Sequence, residues 1–438
     1  MRARDARIIR EQDAIAFLGS DAPGDLLRRV LADAGWELGT WRLASLHHRP
    51  GAGATGVFSV EVAPPGGAGS GRGMPPGPAP THACITSCAL PHPPGGVTVV
   101  HRRGADTLSG WAHPGDPLLP GLPSALDPAA VTPFAFGPGY EADATVLELR
   151  SYRPMRRAVV LARNGEERRY LKVLRQHAAG PLAERHRMLR AAGVPAPALA
   201  AGPVQDVVAM HAAPGTPLAE LLLRDGAAGV EPDALLQVLA SLPAAVLGLP
   251  ARPPWSARVR DYGEGAAAAL PGEAERIRRL AADIDAVVRA SDGGPLVPTH
   301  GDFYEGNLLI TDGSVSGLLD VDALGPGHLV DDLACFLGHL AVLPALHAGY
   351  AQVPHALLRF LRAFDRRVDP VALRSRAAAV SLTLVAGARR RAEDGDGTAG
   401  ADGARGGAPE AVSRLEVAEQ FLAEAQRLRG GTRPGRTR

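Results

Sequence analysis

Apolar positions follow two regimes along the chain. Up to His211 they come mostly in short, partly alternating runs; beyond it they recur at helical spacing. Asp21–Gly35 carries Leu26, Leu27, Val30, Leu31 and Ala34 three or four apart and predicts a helix. Trp36–Leu46, Val57–Val62, His82–Leu90 and Gly96–Arg102 predict strands. Residues 1–110 thus predict a small α+β domain, interrupted by a low-complexity loop at Ala63–Pro80. Residues 111–140, rich in proline and glycine, predict a linker.

A second sheet is expected over 141–213. Ala144–Leu149 predicts a strand, and Arg157–Arg163 with Glu167–Leu174 predicts a hairpin. There Asn164-Gly165 would supply both positive-φ corners of a type I′ turn. Pro181–Ala192 predicts a helix and Val207–Met210 a strand. Residues 214–428 predict a mostly helical domain: Pro217–Leu223, Asp233–Leu247, Glu273–Ala290, His328–Val342, His355–Asp365, Pro370–Arg391 and Glu410–Leu428. A flexible insert is expected near 392–409 and a disordered tail at 429–438.

Composition narrows the function classes. A net charge of +1 gives no global field for nucleic acid or an anionic membrane. The most apolar stretches, Ala234–Leu249 and Leu333–Leu343, are short or broken by polar residues, so no membrane span is expected. Cys84, Cys88 and Cys335 show no CxxC pair and cannot build a disulfide framework. The charged start has no apolar run behind it, which predicts no secretory leader and a cytoplasmic setting.

Two residue types are nearly absent. Of 47 basic side chains only Lys172 is a lysine, and Asn164 and Asn307 are the only asparagines. A GC-rich coding sequence explains the bias, and the survivors then mark positions where replacement fails. Asn307 closes the run Thr299-His300-Gly301-Asp302-Phe303-Tyr304-Glu305-Gly306-Asn307. A predicted hairpin follows, with Thr311–Ser314 as its turn and Asp320 and Asp322 at its end. Phosphoryl transfer needs a carboxylate to orient the attacking hydroxyl and accept its proton, and oxygen ligands for Mg²⁺. Asp302 suits the first role; Asn307 and Asp320 suit the second.

At these residues the chain resembles the aminoglycoside phosphotransferase/choline kinase family, relatives of the protein kinases. The family signature HGDxxxxN, followed by an Asp at a hairpin end, is matched by His300–Asn307 and Asp320. Asp332-Leu333-Ala334 resembles the family's Asp-Leu-Ala helix start, and the resemblance spans roughly 141–391. It implies an α+β, bilobal, protein-kinase-like fold, with an antiparallel β N-lobe over 141–213 and a mostly helical C-lobe over 214–428. Residues 1–110 would precede it, laid out like the cap of maltokinase-like bacterial sugar kinases.

The resemblance also implies chemistry. ATP or GTP with Mg²⁺ would be the cofactors, and a hydroxyl of a sugar, amino sugar or aminoglycoside-type small molecule the acceptor. Lys172, on the third strand of the N-lobe, would hold phosphates, and Glu184 on the next helix would pair with it. Backbone groups near Met210 and Ala212 would hold adenine. Asp302 would be the base, and His300, also a catalytic-loop candidate, would prop the loop rather than titrate. Asp332 would cap a helix or brace a loop. Asp322 is either a second metal ligand or substrate contact, or a structural hydrogen-bond acceptor.

The chain departs from the family at Tyr304, where a second His is common, and at Glu305. Its loop Arg150–Arg157 lacks glycine, so Arg153, Arg156 and Arg157 are candidate phosphate contacts. A nucleotide-binding regulator without turnover is the alternative. A protein kinase is disfavoured, because a helix begins near His328 and leaves no room for an activation segment. The sequence carries no signal for an oligomeric state.

Overall fold

The computed structural model describes residues 3–49, 53–65, 79–90, 97–101, 107–394 and 403–431. The chain divides into two compact units, residues 1–183 with 199–212, and residues 184–198 with 213–438.

The first unit holds two five-stranded antiparallel sheets. In the N-terminal one the strands are Glu37–Arg49, Gly53–Ala63, His82–Thr86, Thr98–His101 and Thr107–Ala112, with the last inserted between the third and fourth. Helices Ala3–Leu18 and Gly24–Asp33 cover it, and Leu18, Leu27 and Leu31 are fully buried against Phe58, Ala83 and Ile85. Each such leucine contributes about 1.5–3 kcal/mol relative to exposure. The helix Ala3–Leu18 and the strand Thr107–Ala112 are absent from the sequence reading. Charged residues break the apolar spacing of the first, and the second is short and glycine-bearing.

The second sheet has strands Thr145–Arg153, Arg157–Asn164, Glu167–Leu174, Leu199–Val204 and Val207–His211, again with the fifth beside the third. Its apolar face includes Ala158, Val160, Leu171, Val173 and Ala209. The presumed linker covers that face. Helices Leu122–Ala125 and Pro128–Ala135 bury Leu122, Val131 and Ala135 in the same core. The prolines and glycines of this stretch are structural. Pro128 occupies a first helical turn behind Asp127, which accepts the Ala129 N–H at 3.0 Å. At Gly121 a Cβ would lie 2.3 Å from the Gln205 carbonyl oxygen.

Asn164 is also corrected. It ends its strand opposite Glu167, so the two-residue loop is Gly165-Glu166, with a positive φ at Gly165 (58°) and not at Asn164. Its side chain is buried, and Nδ2 donates to the Glu141 carbonyl and to Thr145 Oγ1, both at 2.8 Å. The asparagine ties the hairpin end to the chain entering the sheet.

The second unit is mainly helical, with Leu218–Asp225, Pro232–Ala240, Val259–Ala269, Ala274–Arg289, Leu329–Val342, Val353–Phe364, Pro370–Asp394 and Gly403–Gly431. The expected flexible insert is helical at both ends, over 392–394 and 403–409, while 395–402 lie outside the described residues. Likewise 429–431 continue a helix, and 432–438 lie outside the described residues. Among the described residues no helix is long and apolar enough to cross a membrane.

Candidate active site

In the second unit, the strand Leu296–Thr299 pairs with Gly325–His328 and delivers the chain to His300. The backbone then turns at Gly301, with φ at 79°, where a Cβ would sit 2.6 Å from the Ala323 carbonyl oxygen. Only glycine fits both demands. Asp332, in the first turn of Leu329–Val342 and 1% exposed, holds this turn from behind. Its two oxygens accept the backbone N–H groups of His300 at 2.7 Å and Gly301 at 2.8 Å. Burial pushes its pKa up to about 7, with those two bonds pulling it back and the Asp331 and Asp302 charges adding to the rise.

His300 is fully buried. Its Nε2 lies 2.9 Å from the Leu319 carbonyl, which can only accept, so the proton is on Nε2. Nδ1 then accepts the Asp302 N–H at 3.3 Å. Burial holds the pKa below the usual imidazole value. With both nitrogens engaged by backbone, His300 is a neutral brace and has no lone pair left for a proton in transit.

The same mesh fixes the other carboxylate and the amide. Asn307, in the short turn Glu305–Asn307, is 5% exposed, and its Nδ2 donates to the Asp302 carbonyl at 2.9 Å. Leu319 donates its N–H to the Asn307 carbonyl at 2.8 Å. Asp320 follows at once, in the left-handed region with φ 52° and ψ 54°. A non-glycine residue there costs about 1–3 kcal/mol, strain that concentrates at functional sites. Asp302, Asn307 and Asp320 are therefore fixed through Leu319 and His300. Tyr304 stacks on His339, with ring centroids 4.3 Å apart. Burial and the nearby Asp302, Glu305 and Asp320 charges push its phenol up to about 12. A cavity of about 230 Å³ opens beside this loop, lined by Gly301 and Ala323 with Arg252, Trp255 and His328.

The fit to a magnesium ion is partial and informative. Asn307 Oδ1 has no hydrogen-bond partner among the described residues, because the amide is oriented by Nδ2. Among the described residues no group of three or more His, Cys, Asp or Glu side chains could hold a metal. One amide oxygen and one carboxylate suit Mg²⁺ only when phosphate oxygens and water complete the shell.

The first unit carries the remaining candidates. Lys172 is 6% exposed, on the strand Glu167–Leu174 between Val159 and Val208 of the flanking strands. Met210 lies opposite Tyr170 and is 9% exposed; Ala212 is the last residue of the unit and is exposed. The glycine-free loop is pinned at its tip. Met155 takes φ 59° with its side chain buried among Val57, Cys84 and Trp111 of the N-terminal sheet. Its N–H donates to Asp116 Oδ2 at 2.7 Å, and Arg175 Nε donates to its carbonyl. The Tyr152 hydroxyl donates to the same Asp116 oxygen at 2.8 Å, and Trp111 Nε1 donates to that hydroxyl at 3.3 Å. Asp116 came from the presumed linker, and no local pattern in the sequence marks it.

Glu184 lies on the helix Ala179–Ala191, within the second unit. Its side chain is 64% exposed and its ion pair is with Arg187, one turn on, at 3.1 Å.

The family model described as "Phosphotransferase enzyme family" matches residues 145–370. No curated protein sequence matches the chain. Among solved structures, the chain is similar to a choline/ethanolamine kinase family protein from Mesorhizobium loti. Identity is 16% and the TM-score 0.44, over 68% of this chain and 98% of that one. A choline kinase from Cryptosporidium parvum Iowa II is 13% identical with a TM-score of 0.44, over 69% and 97%. An aminoglycoside-3'-phosphotransferase of type VIII is 22% identical with a TM-score of 0.35, over 55% and 93%.

Proposed function

We propose, because the chain belongs to the phosphotransferase enzyme family, that it transfers the γ-phosphate of ATP or GTP to a hydroxyl of a small molecule. The observation that supports this best is the mesh holding Asp302, Asn307 and Asp320 through Leu319 and His300. A transfer of this kind is catalysed mainly by positioning and by neutralising charge. Asp302 orients the acceptor hydroxyl and takes its proton as the oxygen attacks the γ-phosphorus, whose bond to the bridging oxygen breaks to release the nucleoside diphosphate. Asn307 and Asp320 would hold Mg²⁺, which when bound would neutralise charge developing on the transferring phosphoryl group. Lys172, on the sheet of the first unit, anchors nucleotide phosphate, and backbone near Met210 and Ala212 receives the base. The loop of Arg153, Arg156 and Arg157, pinned through Met155, covers phosphate in place of a flexible glycine-rich loop.

Incubation with Mg-ATP and a mixed set of hydroxylated small molecules, read by mass spectrometry, tests the assignment. One product gains a phosphate in the wild type. The Asp302→Ala variant makes none, yet still binds nucleotide. Full turnover in Asp302→Ala removes it from the mechanism.

A further inference from the structure

Tyr304 has no part in that mechanism, yet it sits inside the catalytic turn. Asn307 closes the turn twice. Its Nδ2 donates to the Asp302 carbonyl at 2.9 Å and its N–H to the Tyr304 carbonyl at 3.0 Å. Between these anchors the Tyr304 ring folds over Gly306, where a Cβ would lie 2.6 Å from Tyr304 Cε2 and 3.3 Å from the hydroxyl oxygen. The phenol therefore rests on the short turn that carries both Asp302 and Asn307.

The helix Leu329–Val342 holds the ring as well. Its positions 332, 336 and 339 share one face and meet successive points of the loop. Asp332 accepts the His300 and Gly301 N–H groups. The Phe336 ring lies 6.1 Å from that of Phe303, and His339 stacks on Tyr304 at 4.3 Å with 26° between the planes. Fixing the ring fixes the phenol oxygen, which lies in the ring plane; only the O–H bond still rotates.

Packing does not call for that hydroxyl. Phe303, Phe336, Phe360 and Phe364 build the adjoining aromatic cluster without one, and a phenylalanine at 304 would keep both the stack and the contact with Gly306. Tyr152 shows the contrast, since its hydroxyl donates to Asp116 and accepts from Trp111. The Tyr304 hydroxyl makes no hydrogen bond among the described residues. Asp302, Glu305 and Asp320 all lie near enough to bear on it electrostatically. The charged side chains of the turn, Asp302 and Glu305, are acceptors, and Asn307 Nδ2 is turned to a backbone carbonyl. The Tyr304 O–H is thus the neutral donor that this turn can offer a substrate.

We propose that Tyr304 is a further catalytic residue, whose hydroxyl donates a hydrogen bond to a non-bridging oxygen of the phosphoryl group in transit. This rests on the phosphotransferase reading above. Donors aimed at those oxygens stabilise charge that carboxylates cannot. Tyr304 keeps its proton throughout. The acceptor's proton passes to Asp302, the acceptor oxygen bonds to the γ-phosphorus, and the nucleoside diphosphate leaves with the electron pair of the broken bond.

Tyr304→Phe removes only the O–H. A first arm measures the affinity of wild type and variant for Mg-ADP, for Mg-ADP with aluminium fluoride as a mimic of the phosphoryl group in transit, and for Mg²⁺ with a non-hydrolysable ATP analogue. The variant binds the aluminium fluoride complex at least about tenfold more weakly and the other two within about twofold. A second arm measures initial rates with Mg-ATP and with its γ-thio analogue, using water, glucose, glucosamine and ethanolamine as acceptors. In the variant kcat falls about 100-fold with both KM values within about threefold. The rate ratio between ATP and the thio analogue also shrinks, because sulfur accepts a hydrogen bond poorly and only the wild type has this bond to lose.

Aluminium fluoride changing the Mg-ADP affinity by the same factor in both proteins overturns the proposal. So does a kcat within twofold of wild type, or a raised acceptor KM at unchanged kcat, which would assign the hydroxyl to acceptor binding. The first arm needs no acceptor, so it decides the matter even where none of the four is phosphorylated. Failure of the wild type to bind either Mg-ADP or the ATP analogue overturns the phosphotransferase reading instead.

Discussion

Asp332→Asn tests whether the clamp behind the catalytic loop serves catalysis or only the fold. The carboxylate accepts two backbone N–H groups, from His300 and Gly301, at 2.7 and 2.8 Å. An asparagine of the same shape keeps one acceptor and turns an NH₂ donor toward the other N–H. The lost bond is of the charge-assisted kind, worth about 1.5–3 kcal/mol. Against that, the buried carboxylate carries a desolvation cost that raises its pKa to about 7, and the neutral amide removes it. The two changes oppose, so stability in urea at pH 8 moves by less than about 2 kcal/mol either way. Catalysis has no such offset. If the lost bond is fully expressed in the placement of Asp302, kcat falls about 10- to 100-fold, at 1.36 kcal/mol per decade. The ATP KM stays within twofold.

The pH profile adds an independent readout. The folded pKa lies above the ordinary 3.8, so the folded chain holds this proton more tightly than the unfolded chain. Its contribution to stability is present below pH 3.8 and is lost as pH rises toward about 7. Activity runs the other way, because protonation removes one acceptor. The wild type then shows an acid limb in kcat near pH 7, and Asp332→Asn lacks it. Unchanged kcat in a folded Asp332→Asn protein, or an identical acid limb in both, refutes the reasoning.

Three further outcomes follow from the same geometry. Asp116→Asn frees the Met155 tip and raises the ATP KM about fivefold, with kcat within threefold; initial-rate kinetics over nucleotide concentration check it. Gly301→Ala must place a Cβ 2.6 Å from the Ala323 carbonyl at φ 79°, so turnover drops at least about 100-fold while circular dichroism stays native. His113 is buried, and burial lowers its pKa to about 4 from 6.5, with His82 nearby adding to the shift. The unfolded chain takes up this proton first, so stability falls as pH drops from 6.5 to about 4, by about 3 kcal/mol in full. His113→Phe flattens that slope in urea titrations over the same range.

The candidate site was legible where its geometry is local in sequence. Asp302, Asn307 and Asp320 lie on one loop-and-hairpin segment, and the bonds that fix them run within that segment through Leu319 and His300. The rarity of Lys172 and Asn307 could be seen in the composition, but rarity alone does not assign a role. Asn164 is equally rare, and structure gives it a buried anchoring role outside the turn corner expected for it. Over 111–140, proline and glycine content predicts a linker, whereas the stretch packs as ordered structure on the second sheet. In the fold, Pro128 starts a helix and Gly121 permits a backbone approach, both of which rigidify. Asp116 acts on Met155 across 39 positions of sequence, and no window-based pattern carries that.

The helix Ala179–Ala191 shows most directly what pattern reading can supply and what it overlooked. The family resemblance implies Glu184 as the helix partner of the phosphate-binding Lys172. The helical period argued for a different residue. Leu182 and Leu189 are seven apart, and a stripe through them includes positions 185 and 186, not 184. The burial follows that stripe, with Arg185 and His186 inside and Glu184 and Arg187 outside. Applied to the sequence alone, the same period places a cation where an anion was expected.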